Sequence, residues 1–203
     1  MEDRESLRLA GLICSRLCHD LVGPAGAVAN GLELLADAGS EGEALKLTRH
    51  SSAQLIRRLA FFRRAYGTGD NLTWHEAREV AAGMLEGARH VLEWRGEAAG
   101  GDEAAAARIV LNMVVCLMDA TPLGARLAVT LGAEPAIAAE GEATRTGSLE
   151  AAIADPLASV AAISPREAQP YLTARLAHAA GFRLALERED DERLTLRLRS
   201  TRR

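Results

Sequence analysis

A histidine followed directly by an acid is the part of this sequence best suited to covalent chemistry. His19 and Asp20 lie in the run LCHDLVGP at residues 17–24. Imidazole titrates near neutrality, so its nucleophilic neutral form is well populated. A carboxylate that accepts a hydrogen bond from Nδ1 leaves Nε2 free to attack phosphorus. We therefore predict that His19 and Asp20 are catalytic residues, with His19 as the nucleophile and Asp20 as the acid that orients it.

A long helix must position this pair, and the sequence predicts one from about Arg4 to Ala38. The apolar residues fall on one face at about 100° per residue. The stripe stays in phase across Pro24, so we expect the helix to continue there with a kink. Its members are Leu9, Ile13, Leu17, Leu21, Pro24, Val28, Gly31, Leu32 and Leu35.

The opposite face of this helix carries His19. The histidine lies about 160–200° from the apolar stripe and shares its face with Ser15, Val22, Gly23 and Gly26. Three of these four residues are small, which leaves room for another protein to approach. We predict that all four contact a partner. The alternatives are an ordinary solvated histidine and, for Asp20, an ordinary surface acid.

A second helix is predicted at about 43–66, after a turn at 39–42 with Gly39 as C-cap. Counting back from the turn places residue 63 level with His19, so we predict that Arg63 reaches a phosphoryl group or an acidic partner beside the histidine. A solvated arginine is the alternative. The inner stripe consists of Ala44, Thr48, Ser51, Leu55, Leu59, Phe62 and Tyr66.

Two helices alone bury too little apolar surface to be stable, and a second hairpin would complete a four-helix bundle. We predict a homodimer; the alternative is that the hairpin packs on the rest of the chain. Side chains from both stripes should form the dimer core: Leu17, Leu21, Leu55, Leu59 and Phe62.

The remaining residues mix helical and strand patterns. We predict a helix at 73–94, with Thr73 and Glu76 as a capping box, and further helices at 102–119 and 169–180. Alternating residues predict strands at 126–131, 182–187 and 193–199. This order indicates an α+β fold, divided into a hairpin domain at 1–70 and a sandwich domain at 71–203.

Composition excludes several classes of function. The 203 residues carry a net charge of −4, which disfavours a nucleic-acid partner. No apolar run approaches about 20 residues, so no membrane span is expected. Three cysteines without a CxxC pair are typical of a reducing compartment, and the N-terminus lacks the apolar segment of a signal peptide. We therefore expect a cytoplasmic protein.

The remaining histidines and cysteines have no metal-ligand spacing. We predict surface or capping roles for His50, His75, His90 and His178, and buried or semi-buried thiols for Cys14 and Cys18.

Residues 17–24 resemble the H-box of two-component histidine kinases. Together with CSR at 14–16 and GAVANGLELL at 26–35 they are similar, more narrowly, to the ChpT-type histidine phosphotransferases of alphaproteobacteria. The kinase spacing of Asp20 and Pro24 favours the catalytic interpretation of His19. Kinases often carry Thr or Asn where this chain has Gly23, so a phosphatase activity is not expected.

The C-terminal half resembles the ATP-binding domain of those kinases. Residues 111–127 follow the kinase N-box and the next strand, and residues 170–181 are similar to its last helix. Asn112 matches the first N-box asparagine, but Cys116 stands at the second, and a thiol is a poor Mg²⁺ ligand. Residues 164–169 replace the glycine-rich loop, and no Asp-x-Gly-x-Gly motif occurs. The resemblance implies an ATPase-like sandwich without an ATP site.

The resemblance implies a phosphorelay function for the whole chain. His19 would exchange a phosphoryl group with the aspartates of receiver domains, one in a hybrid histidine kinase and others in response regulators. Mg²⁺ would come with the receiver, so the chain would have no cofactor or metal of its own. The ATPase-like domain would help to dock the receiver. The alternatives are a divergent kinase module that still binds ATP, and a non-catalytic dimeric scaffold.

Overall fold

A helical hairpin precedes a five-stranded sheet with its helices. The computed structural model describes residues 2–36, 41–69, 71–97 and 103–201. The elements are α1 (Glu2–Ala36), α2 (Glu41–Tyr66), α3 (Trp74–Leu85), β1 (Val91–Arg95), α4 (Glu103–Ala120), β2 (Arg126–Thr130), β3 (Ala136–Glu140), α5 (Gly147–Ala154), α6 (Ala168–Ala179), β4 (Phe182–Arg188) and β5 (Arg193–Ser200). The predicted α+β class is confirmed.

The hairpin depends on α1 continuing through a proline. Pro24 is buried inside α1 and the helix runs on to Ala36, as predicted. The two helices approach closely where Gly31 meets Thr48, since a Cβ atom at position 31 would overlap the threonine side chain. The predicted C-cap at Gly39 lies outside the described residues.

The base of the hairpin packs against the C-terminal domain. Leu9 and Ile13 of α1 belong to the main core. Phe61 and Phe62 of α2 are buried in a second cluster with residues of α3 and α4, including Leu111. The alternative packing is therefore correct for this end of the hairpin. Phe62 was wrongly predicted for the dimer core, because its own chain already covers it.

The sheet has the order β1-β2-β3-β5-β4, and only β1 and β2 are parallel. Helix α4 contacts β3 and β5, whereas α5 and α6 contact β4. The buried strand residues share one core with α4: Leu127, Val129, Ile137, Ala139, Leu184, Leu194, Leu196 and Leu198.

The prediction for the C-terminal domain was right for some elements and wrong for others. The capping box at Thr73 and Glu76 is present, and Gly181, with a φ of 77°, follows α6. The helix predicted at 73–94 is wrong beyond Leu85, since Gly87 adopts a φ of 74° and residues 91–95 form β1 instead. Strand β3 and helix α5 were not predicted.

Candidate functional site

His19 projects from the middle of α1 into solvent. Its side chain is 78% exposed, and Nδ1 lies 3.3 Å from Oδ1 of Asp20, whose side chain is 27% exposed. Asp20 therefore lies within hydrogen-bond reach of the His19 ring, as predicted. Apart from its contact with Asp20, the ring is open to an approaching protein.

A groove of about 1000 Å³ separates His19 from the C-terminal domain. Ser15, His19 and Asp20 line its α1 side. The other side consists of the segment that begins α5, around residues 145–149, and the segment that leads into α6, around residues 164–167. A partner that reaches His19 through this groove would therefore contact both parts of the chain.

Three arginines line this groove, and they differ in how they are held. Arg16 is bound to Asp119 through two hydrogen bonds of 2.6 and 2.8 Å. Arg145 and Arg166 are exposed, and neither side chain forms an ion pair with any described residue. The groove thus offers two uncompensated positive charges to an anionic partner.

Four of the predicted partner-binding residues lie around His19 on its own face. Ser15 lines the groove, Val22 is 68% exposed, and Gly23 and Gly26 are exposed. A Cβ atom at either glycine would meet no neighbour within 4 Å. These residues extend the exposed surface around His19 along α1, and the two glycines leave space for another molecule.

Arg63, the fifth predicted partner-binding residue, does not line the groove beside His19. The predicted register of the hairpin was wrong by nearly one turn. Gly31 packs against Thr48, so His19, twelve residues before Gly31, lies level with Ala60, twelve residues after Thr48. Arg63 is exposed one turn further along α2. The arginines that flank His19 are those of the groove.

A buried polar network surrounds Asn112. The Nδ2 atom of Asn112 donates to the carbonyl oxygens of Ala65 and Arg108 at 2.8 and 2.9 Å. Its Oδ1 accepts from Nε2 of Gln169 at 2.8 Å, and the hydroxyl of Tyr66 donates to Oε1 of Gln169 at 2.8 Å. The amide of Asn112 is thus used to join α2, α4 and α6.

Cys116 belongs to the same region. Its Sγ lies 3.2 Å from Oγ1 of Thr173, and burial raises the pKa of the thiol to about 12. Burial likewise raises the pKa of Tyr66, partly offset by the charge of Arg16. Both groups are therefore neutral near pH 7. Cys116, which the sequence resemblance matches to the second N-box asparagine, is therefore a neutral, hydrogen-bonded thiol in this structure.

Sequence reasoning missed the arginines of the groove, Asp119 and the role of Tyr66. Arg16 precedes His19 by three residues, which puts it nearly on the same side of α1. This spacing could have identified Arg16 as a neighbour of His19. Arg145 and Arg166 lie in irregular segments whose positions depend on the tertiary fold. Tyr66 was assigned to the apolar stripe, and nothing in the sequence indicates its hydrogen bond to Gln169.

Two other predictions are corrected by the structure. Cys14 and Cys18 are exposed, because their side of α1 faces neither α2 nor the C-terminal domain. His90 is buried rather than at the surface, but its Nε2 lies 2.9 Å from the carbonyl oxygen of Thr121, directly after the last residue of α4, which fits the capping alternative. Burial lowers the pKa of His90. Within the described part of the chain, no helix is both long and apolar enough to cross a membrane.

Comparisons with known proteins identify the family of the chain. The family model described as histidine phosphotransferase C-terminal domain matches residues 74–192. The protein phosphotransferase ChpT of Brucella abortus (strain 2308) is 30% identical over 190 residues, which cover 89% of this chain and 90% of that protein. A solved bacterial phosphotransferase has a TM-score of 0.79 and 28% identity, and the match covers 95% of this chain and 96% of that one.

Proposed function

This chain belongs to the ChpT-type family of histidine phosphotransferases, and we propose that it works through a phosphohistidine at His19. The observation that carries this proposal is the placement of an exposed His19 within reach of Asp20, at the edge of a groove with two unpaired arginines. Transfer of labelled phosphate from a phosphorylated receiver domain to the wild-type chain and to His19→Gln tests it.

The chemistry follows from the geometry of the pair. In the tautomer with a proton on Nδ1, this N–H group donates a hydrogen bond to Asp20. The lone pair of Nε2 is then free to attack the aspartyl phosphate of a receiver. The N–P bond forms as the P–O bond to the receiver's aspartate breaks, and the carboxylate leaves with the electron pair. Asp20 then stabilises the positive charge on the phosphorylated ring. The reverse step returns the phosphoryl group to a second receiver.

Phosphoryl transfer requires alignment and neutralisation of charge more than covalent assistance. Mg²⁺ supplies part of that neutralisation when a receiver brings it in its acidic pocket, so this chain needs no cofactor of its own. Arg145 and Arg166 lie across the groove from His19 and complement an acidic partner. We assign the receiver's docking surface to Ser15, Val22, Gly23 and Gly26 on α1 and to these arginines on the other wall. Arg63 is left outside it.

We predict that both walls of the groove contribute to docking. Gly26→Arg places a long side chain on the open face and should slow transfer by about tenfold or more, without unfolding α1, since arginine favours helix by up to about 1 kcal/mol over glycine. The double change Arg145→Ala and Arg166→Ala should weaken receiver binding by about tenfold. Transfer rates and calorimetric affinities measure the two effects.

Gly42→Arg is the matched control for the first change. Gly42 is another exposed glycine in a helix with open space around it, but it lies about 27 Å from the level of His19 along the hairpin. Arg63→Ala is the control for the second. Docking elsewhere would be shown by wild-type rates and affinities in both test variants.

We further propose that the chain has no ATP-dependent kinase activity. The proposal is supported by the engagement of Asn112 with Ala65 and Gln169 and by the neutral thiol of Cys116. Titration with Mg-ATP should give no binding heat at micromolar to submillimolar concentrations, and labelled ATP should not label His19. Micromolar binding would support the divergent kinase instead.

The remaining proposal concerns assembly, which we infer to be a homodimer through the hairpin. One side of α2, facing away from the C-terminal domain, exposes Leu45, Ile56 and Leu59, with exposures of 43%, 63% and 48%. Leu32 of α1 is 56% exposed. A second copy of this hairpin would cover these side chains and complete a four-helix bundle.

A further inference from the structure

We propose that Arg16 and Asp119 are positioning residues for His19. Asp119 of the C-terminal domain holds the guanidinium of Arg16 away from Asp20, and this leaves the Asp20 carboxylate to orient the imidazole. The inference rests on the proposed phosphotransfer at His19 and adds a role for the C-terminal domain in the chemical step, separate from receiver docking.

Arg16 is the central group of this arrangement. Its side chain is only 13% exposed, and it lies one turn before Asp20 on α1. NH1 and NH2 donate to the two carboxylate oxygens of Asp119 at 2.6 and 2.8 Å. This paired geometry is the strong form of an arginine–carboxylate contact. Burial opposes the charge, but the hydrogen bonds and charge of Asp119 raise the pKa of Arg16 above its ordinary value.

Asp20 lies between this guanidinium and the histidine. Its Oδ1 is 3.3 Å from Nδ1 of His19, whereas its Oδ2 is 3.8 Å from Nε of Arg16. The distance to Arg16 is beyond hydrogen-bond range, so the carboxylate is attracted by the arginine without being bound by it. A continuous path of charged groups therefore runs from His19 through Asp20 and Arg16 to Asp119.

Arg16 has few other partners. Among the described residues, Asp119 and Asp20 are the two carboxylates within ion-pair distance of it. Tyr66 and Cys116, which also face this region, are neutral because burial raises their pKa values. NH1 of Arg16 also lies 3.4 Å from the carbonyl oxygen of Arg166. Nearby, Arg58 donates to the carbonyl oxygen of Asp20.

A largely buried cation needs a carboxylate. If Asp119 loses its charge, Asp20 is the remaining anion in reach, and the guanidinium gains by turning onto it. The carboxylate would then accept hydrogen bonds from Arg16 in competition with Nδ1 of His19. The imidazole would lose its orienting partner, and the tautomer with Nε2 free would become less populated. The C-terminal domain thus controls the reactivity of a histidine that it does not touch.

The test substitution is Asp119→Asn, which keeps the shape of the side chain and removes its charge. We expect transfer from a phosphorylated receiver to slow by about tenfold or more, as is typical when the partner that orients a functional side chain is removed. Receiver affinity should change by less than about threefold. The ¹⁵N chemical shifts of the His19 ring should move toward a more even mixture of tautomers, a signal that a purely structural role would not alter.

A double-mutant cycle separates positioning from general stability. If Asp119 acts through Asp20, adding Asp119→Asn to Asp20→Asn should slow transfer little further, whereas independent roles give multiplied effects. Glu86→Gln is the matched control, because it removes another ion pair between the hairpin and the C-terminal domain, from Arg57 at 3.4 Å. It should leave transfer at the wild-type rate.

Multiplied effects in the cycle, or unchanged transfer and ring shifts in Asp119→Asn, would overturn this inference and leave the proposed function intact. Failure of the proposed function has a different signature, in which the wild-type chain itself accepts no label from a receiver. Folding of each variant is checked by its thermal unfolding curve.

Discussion

Replacing His19 with glutamine should abolish acceptance of phosphate from a phosphorylated receiver. Glutamine approximates the size and polarity of the ring but has no nucleophilic nitrogen, so no N–P bond can form. The fold should be unaffected, because the side chain is 78% exposed and contributes nothing to the core. The measurement is transfer of labelled phosphate at equal protein concentration, with circular dichroism as the check on folding.

The chain supplies a close control for this experiment. His75 is also a helical histidine beside an acid, 79% exposed, with Nε2 3.4 Å from Glu79, but it lies on α3 and does not line the groove. His75→Gln should transfer phosphate at the wild-type rate. Label on the His19→Gln protein would mean that another residue accepts the phosphoryl group, and the proposed function would then be wrong.

Leu59→Glu should convert the proposed dimer into a monomer. The side chain is 48% exposed on the side of α2 opposite the C-terminal domain. Burying a whole leucine side chain contributes about 1.5–3 kcal/mol, and Leu59 has about half of its surface left to bury, so each copy contributes roughly 0.7–1.5 kcal/mol. A two-fold interface contains the site twice, and burying the glutamate charge adds a desolvation penalty, so the loss is about 3 kcal/mol or more. The dimer dissociation constant should therefore rise by about a hundredfold, as measured by sedimentation or light scattering over a range of concentrations.

Leu123→Glu is the control, because Leu123 is also an exposed leucine, at 65%, but lies in the turn before β2. It should not change the mass in solution. A wild-type protein that sediments as a monomer at micromolar concentration would contradict the interface itself, and the exposed leucines would then need another explanation.

The sequence predicted those features that local spacing determines. The path of α1 through Pro24 follows from an apolar stripe that remains in phase. The capping box at Thr73 and the strands after Gly181 follow from residue types at fixed offsets. Strand β3 could not be found in this way, since its run AIAAE favours helix by propensity, and pairing with β2 and β5 decides its structure.

Only part of the candidate site could be predicted from the sequence. His19 and Asp20 are neighbours in the chain, so their contact needs only a helix. Asp119 meets Arg16 across 103 residues, and the two walls of the groove come together only when the domains pack. The misplacement of Arg63 has a similar origin, because the register of the hairpin depends on where Gly31 allows close approach to Thr48, and counting from the turn does not give it.

The hydrogen bonds of Tyr66 and Asn112 fasten the end of the hairpin to the C-terminal domain, and their consequence reaches the groove at His19. We expect these contacts to limit the relative motion of the two walls, so that less conformational entropy is lost when a receiver binds. In the proposed relay, donor and acceptor receivers would then meet this groove as the same template. We expect discrimination among receivers to depend on how well each receiver's own surface matches that template.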